Sequence, residues 1–421
     1  MALRSLAATF ARAAATSILI GGVGAFGCAA PSDQGPVATG SDDIVDVPQT
    51  DVERQSIGTT WLYAHASWVA SMHQAASGES FDVSPSYWTY WHWFDQIAGG
   101  AATTISTGGN WATANGIVKK YGLAHESAFV VNGAITDMGA RQAAALAAVN
   151  ASLTSGALSM RGARSDKALV RRELDRAWGL DASVSAMLDR VFGADVSRSF
   201  SSTTSPADPS GTDVQRAVDF AVAYSSTPGG GVMQHHLDEA MRDFRQVYYV
   251  GVDRRSFQIR VQQALADAQP VLLTWFVDFN ALEDRDNGRL GSFNLATLTE
   301  LGSGLQGGHT TLIDGYQAKL ADGREVTPDQ KLDPANPEDK ALLDTALLPS
   351  TQVELFRVKN AWGSAHPERA FAPGMPSYDD LRFDYLDGPV KKCVVRNGTT
   401  DPTSCPTTTT PLQNVVLPPG Y

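Results

Sequence analysis

Residues 58–68 read GTTWLYAHASW. Behind the glycine and two threonines, apolar residues recur at Trp61, Ala64, Trp68, Val69 and Met72, which predicts a helix from Thr60 to about Ala76. Threonine is a good N-cap, so Thr60 has an ordinary structural task at the helix start. The same place collects the unpaired N–H groups and the positive end of the helix dipole, which stabilise an anion. The stretch therefore poses a question: does Thr60 carry chemistry, or only shape?

The neighbouring segments repeat the pattern of helices with defined ends. In SPSYWTYWHWFDQI (84–97), Pro85 suits a first turn and six aromatics fall between Tyr87 and Phe94. Their helical spacing reads as buried core rather than a ligand cage. STGGNWATANGIVKKYG gives a glycine turn at Gly108–Gly109, then a helix that stops at Gly122. Residues 131–250 read as a helical insertion, with ARQAAALAAVNASL and SDKALVRRELDRAWGL amphipathic and Ser165 or Asp166 as a cap. Strand-like runs follow at 247–252, 270–279, 309–317 and 351–363, and the polar stretch between the last two reads as a surface insertion. Helices first and a sheet later predict an α+β domain built from two halves.

The 421 residues suffice for a large core, and 43% hydrophobic with 19% charged residues is a globular composition. A net charge of −12 argues against a nucleic-acid partner or a broad anionic-membrane footprint. Residues 1–28 read as a signal peptide, with Arg4 and Arg12 ahead of an apolar run too short for a membrane span. Small residues before Cys28 suggest a bacterial lipoprotein signal with Cys28 lipidated; ordinary cleavage nearby is the alternative. Either way the chain is expected to be exported, to the cell envelope or beyond it. Residues 29–50 form a flexible tether, 51–388 the main domain, and 389–421 a Thr- and Pro-rich tail with poor sheet credentials. Cys393 and Cys405 close a short polar loop and are expected to pair in an oxidising compartment.

Five motifs in order resemble the papain-like cysteine peptidases, and more closely their bleomycin-hydrolase and aminopeptidase-C branch. They are SIGTTWLYA, FDVSPSYWTYW, GGNWATANGIVKKYG, GGHTTLIDGY and VKNAWG, spread over residues 56–363. The resemblance implies a two-lobed fold, a helical lobe facing an antiparallel β lobe, with no cofactor. It places Thr60 where the family has its nucleophilic Cys. His309 would be the base, Asn360 would orient the imidazole, and Trp362 would shield that hydrogen bond from water. Gly108 and Gly109 would let a peptide backbone approach, with Trp362 part of the same substrate-binding wall.

Two departures bear on activity. A thiol is a few per cent ionised at pH 7, whereas an alcohol with a pKa on the order of 13 is ionised to about one part in a million. Threonine also crowds the attack path with its β-methyl. The family's oxyanion Gln stands six residues before the nucleophile; here position 54 is Arg and Gln55 stands five before Thr60. A missing oxyanion donor costs about 2.7–4 kcal/mol of transition-state stabilisation. These departures favour a pseudopeptidase that binds peptide or protein without cutting it; the alternative is a hydrolase using Thr60 as an alcohol nucleophile with His309 as base. His235–His236 lack a ligand set at metal-binding spacing, so no metal site is assigned.

Overall fold

The computed structural model describes residue 47 and residues 58–131, 138–201, 213–283, 291–361, 378–396 and 399–421. Cys28, Gln55 and Trp362 lie outside the described residues, so their expected roles receive no structural account.

Helix α1 (Thr60–Ser77) starts where the pattern predicts, with one correction: Thr59 is the N-cap and Thr60 the first helical residue. The carbonyl of Thr59 accepts from the Leu62 N–H at 2.8 Å, while the Thr59 side chain supplies no cap bond. Trp61, Trp68, Val69 and Met72 are buried, and the helix ends at Gly78 with φ 72°, a left-handed cap that glycine adopts without strain. Helix α2 (Pro85–Ala98) has Ser84 accepting from Tyr87 N–H and Pro85 in its first turn, and its aromatics from Tyr87 to Phe94 are all buried. Helix α3 (Trp111–Tyr121) is capped by Asn110 and stops at Gly122.

Longer helices follow, α4 (Met138–Ser155), α5 (Lys167–Trp178) and α6 (Ala182–Phe192), with single-turn helices at Glu126–Phe129 and Arg161–Ser165. Asp166 is the residue that caps α5, accepting from Leu169 N–H at 3.0 Å. The expected helical insertion to residue 250 is cut short. Strands β1 (Ala221–Tyr224) and β2 (Met233–His236) form a hairpin, and β3 (Arg245–Tyr248) enters the large sheet. Val222 and Tyr224 alternate with less buried neighbours and pack in the same core as α1, so a period of two decides the conformation there.

Helix α7 (Arg254–Ala266) leads into β4 (Val271–Asp278) and β5 (Gln306–Lys319). Helix α8 (Pro337–Ala346) buries Leu343 and Ala346, so part of the expected surface insertion belongs to the core. The chain closes with β6 (Gln352–Lys359), β7 (Tyr378–Arg382) and β8 (Leu412–Leu417). The sheet runs β3-β8-β4-β5-β6-β7, then a short parallel strand at Ser292–Phe293, while Glu325–Val326 pairs beside β5.

The tail reading needs correction. β8 pairs antiparallel with both β3 and β4, and Leu412, Val415, Val416 and Leu417 are buried. A single six-residue strand after a Thr-rich run carries little signal of its own; both of its neighbours supply the pairing. Cys393 and Cys405 are brought together by the sequence between them, where Val394–Arg396 pairs with Thr399–Asp401.

Helices pack on one face of the sheet and a second core fills the other. Leu272, Leu312 and Val416 point into the helical core with Trp68 and Trp88. Their neighbours Leu273, Ile313 and Val415 join the second core with Trp275, Phe356 and Tyr385. The architecture is α+β, as the order of patterns predicts.

Candidate active site

The N-terminus of α1 faces the sheet at the ends of β5 and β6. Thr60, Tyr63, Ala64 and Ser67 on α1 line a cavity with Thr310, Lys359, Asn360 and Ala361 from the sheet side. Spacing of three and four residues puts the α1 members on one helix face. The cavity is small, about 10 Å³, room for a single water.

Antiparallel pairing sets Lys359 against Leu312, so Asn360 continues that register beside Thr311 and diagonal to His309. Such diagonal neighbours lie within side-chain reach. His309 Nε2 lies 2.9 Å from Asn360 Oδ1. The amide is locked by two other bonds: its Nδ2 donates to Asp379 Oδ2 at 2.8 Å, and its Oδ1 accepts from Ala361 N–H at 2.8 Å. The oxygen therefore faces the imidazole, Nε2 carries the proton, and the lone pair of the neutral ring sits on Nδ1. This is the tautomer that a base needs.

The ring is also deeply enclosed. His309 is 2% exposed and stands opposite Trp275 on β4, whose indole meets it edge-on at 5.3 Å. Burial holds the His309 pKa down to about 4, offset only in part by the bond from Asn360. At neutral pH the imidazole is uncharged. Removing a proton from an alcohol with such a base is uphill by on the order of 12 kcal/mol. Thr60 and Asn360 thus share one cavity wall, and His309 is bonded to Asn360 behind it.

The two glycines divide in role. Gly109 lies against Trp61, and a β-carbon there would collide with the indole ring. Trp61 Nε1 donates to the Thr107 carbonyl at 2.9 Å, so the glycine turn and the start of α1 are one packed unit. Gln96 grips the same turn through both backbone groups of Ser106, at 2.8 Å each. His92 packs edge-on against Trp61 at 5.1 Å, and burial lowers its pKa. Gly109 is therefore a packing requirement. Gly108 is exposed and has open space on its Cα, so nothing inside the chain demands glycine there.

Sequence reading missed Asp379, Trp275, His92 and Gln96. Asp379 stands across from Val358 in the β6–β7 ladder, a relation no linear motif shows. His92 and Gln96 are four residues apart on α2, one helix face, and could have been flagged by that spacing beside the glycine turn. Among the described residues no cluster of His, Cys, Asp or Glu is arranged to hold a metal ion.

No family model matches the chain, and no curated protein matches it. Among solved structures it is similar to PepW from Lactobacillus rhamnosis HN001, at 12% identity and TM-score 0.44, covering 91% of this chain and 82% of that one. Xylellain, a cysteine protease from Xylella fastidiosa, matches at 12% identity and TM-score 0.33, over 94% of this chain and 92% of that one. The Amb a 11 cysteine protease, a ragweed pollen allergen in its proform, matches at 13% identity and TM-score 0.33, over 91% and 66%. Likeness at this level assigns neither a family nor an activity to the chain.

Proposed function

We propose that the chain is a papain-like protein that binds peptide or protein, with peptidase chemistry lost or severely reduced. One observation carries the reading. A fixed His309–Asn360–Asp379 relay stands beside a helix N-terminus where the first helical residue offers an alcohol instead of a thiol. The narrow space between Thr60 and Asn360 and the low basicity of His309 support loss of turnover. Exposed Gly108, free of any packing role, supports retention of a surface on which a peptide backbone can lie.

The test is turnover of peptide libraries by the purified protein. None is expected from the wild type. Cleavage that disappears in His309→Ala would overturn the proposal. A second reading is favoured by the imidazole tautomer: a hydrolase in which Thr60 attacks with His309 Nδ1 as base. An acyl or phosphonate probe distinguishes the two, because only that reading yields an adduct on Thr60. Thr60→Cys is expected to gain weak thiol-dependent cleavage if Gln55 still reaches the developing oxyanion. We further propose export with Cys28 as a lipid anchor, tested by mass spectrometry of the N-terminal peptide from the native host; an unmodified N-terminus downstream of Cys28 would rule the anchor out.

A further inference from the structure

Tyr63 stands about one turn after Thr60 on α1 and lines the same cavity. Its phenol oxygen accepts from Gln142 Nε2 on α4 at 2.7 Å. The same nitrogen donates to Ser86 Oγ on α2 at 3.3 Å, and Ser86 Oγ donates to Glu126 Oε1 at 2.8 Å. Tyr63, Gln142, Ser86 and Glu126 are all buried, so a polar chain runs through the helical core from the cavity wall to a carboxyl group. Such buried chains are sensitive to the state of each member.

The chain is not closed. Glu126 Oε2 and Gln142 Oε1 have no hydrogen-bond partner among the described residues, although both side chains bond to Ser86. A protonated carboxyl carries one O–H donor, whereas an ionised one carries acceptors only. With its proton, Glu126 offers a donor one hydroxyl away from the bare amide oxygen; without it, a negative charge stands there, and burial makes that charge costly. Burial is the largest effect on Glu126 and raises its pKa to about 7. Asp82, whose carbonyl accepts from Glu126 N–H at 2.9 Å, adds a negative charge that also favours the proton. The start of α2 presents Ser84 and Ser86, whose hydroxyls favour the ionised form, α4 presents Gln142, and α1 presents Tyr63. His125, the neighbouring titratable group in the chain, has its Nδ1 at 2.8 Å from Ser127 Oγ.

We propose that Glu126 is a positioning residue for the Thr60 cavity: loss of its proton to solvent breaks the chain at Gln142 and frees the Tyr63 ring in the cavity wall. The carboxyl touches nothing in the cavity and acts only through Ser86, Gln142 and Tyr63. The cleft therefore has two shapes, selected by one buried proton. The bearing of this on peptide binding rests on the function proposed above; the coupling between Glu126 and Tyr63 does not.

The test incorporates 3-fluorotyrosine at the 11 tyrosines of the full chain and follows the fluorine NMR signals across neutral pH, with Tyr63→Phe assigning the signal of interest. In the wild type the Tyr63 signal is expected to shift in one step centred at about pH 7. The step should vanish in Glu126→Gln, which keeps the side chain uncharged at every pH. It should vanish as well in Ser86→Ala and in Gln142→Met, which cut the chain at two different links. The other tyrosine signals report whether each variant is folded; should Ser86→Ala not fold, Gln142→Met reads the same coupling. A Tyr63 signal that is constant with pH overturns the proposal. So does a step that persists in Glu126→Gln, which would assign it to His125 or to the phenol itself, or one that survives either cut in the chain. Failure of the protein to bind any peptide would refute the function proposed above and leave these spectra unchanged, so the two failures are distinguishable.

Discussion

Gly109 and Gly108 are adjacent, yet substitution separates them. Gly109→Ala forces a methyl into Trp61 and should destabilise by about 1–3 kcal/mol, read as a lower urea midpoint. Gly108→Ala meets only ordinary contact and should stay within about 0.5 kcal/mol of wild type, while a peptide ligand is bound less well. Equal destabilisation of both would show that the turn is uniformly packed. Glu126, at 3% exposure, is held by Ser86 at 2.8 Å, and burial raises its pKa to about 7. The folded chain therefore holds this proton more tightly than the unfolded one. Its contribution is full below the unfolded value of 4.5 and is lost as pH rises through about 7. Glu126→Gln should exceed the wild type in stability by up to about 3 kcal/mol at pH 8, with little difference at pH 4. A gap that is the same at both pH values would refute this. His309 acts with the opposite dependence: its lowered pKa makes stability full above 6.5 and progressively lost as pH falls toward about 4.

At the scale of elements, β8 is the last strand in sequence and lies between β3 and β4 in the sheet. Four of its six side chains are buried apolar groups, each contributing about 1.5–3 kcal/mol. Together they are comparable to the whole stability of a typical domain. Truncation before Leu412 is expected to leave no soluble folded protein; a truncated chain with a wild-type circular dichroism spectrum would show the strand to be dispensable. The hairpin before it carries Cys393 and Cys405, separated by 12 residues. A loop of that length predicts about 3 kcal/mol of stabilisation on closure. Cys393→Ser with Cys405→Ser should lose about that much under oxidising conditions and nothing in reductant. An equal loss in both conditions would mean that the residues act only by packing.

For the molecule as a whole, the sheet joins two cores through alternate side chains. Leu312 faces the helices while Ile313 faces the second core. Leu312→Ala should cost about 2–5 kcal/mol and shift the helical circular dichroism and tryptophan fluorescence transitions together. Separate transitions would mean that the halves fold independently. The same junction holds Thr60 on α1 against Asn360 beyond β6, so damage there should also loosen the candidate site.

The sequence by itself determined the helices with strong ends and the strand-rich C-terminal half, and it named His309 and Asn360, which the structure bonds to each other. Those features rest on local signals: Pro85 opening α2, Gly122 closing α3, and the apolar run of β4. Only the tertiary structure decided that Thr59 rather than Thr60 caps α1, that Gly109 exists for Trp61, that Asp379 locks Asn360, and that Leu412–Leu417 is a buried strand. The last three depend on partners distant in the chain, and neither burial nor the shift it imposes on the His309 imidazole is a property of any short stretch of residues.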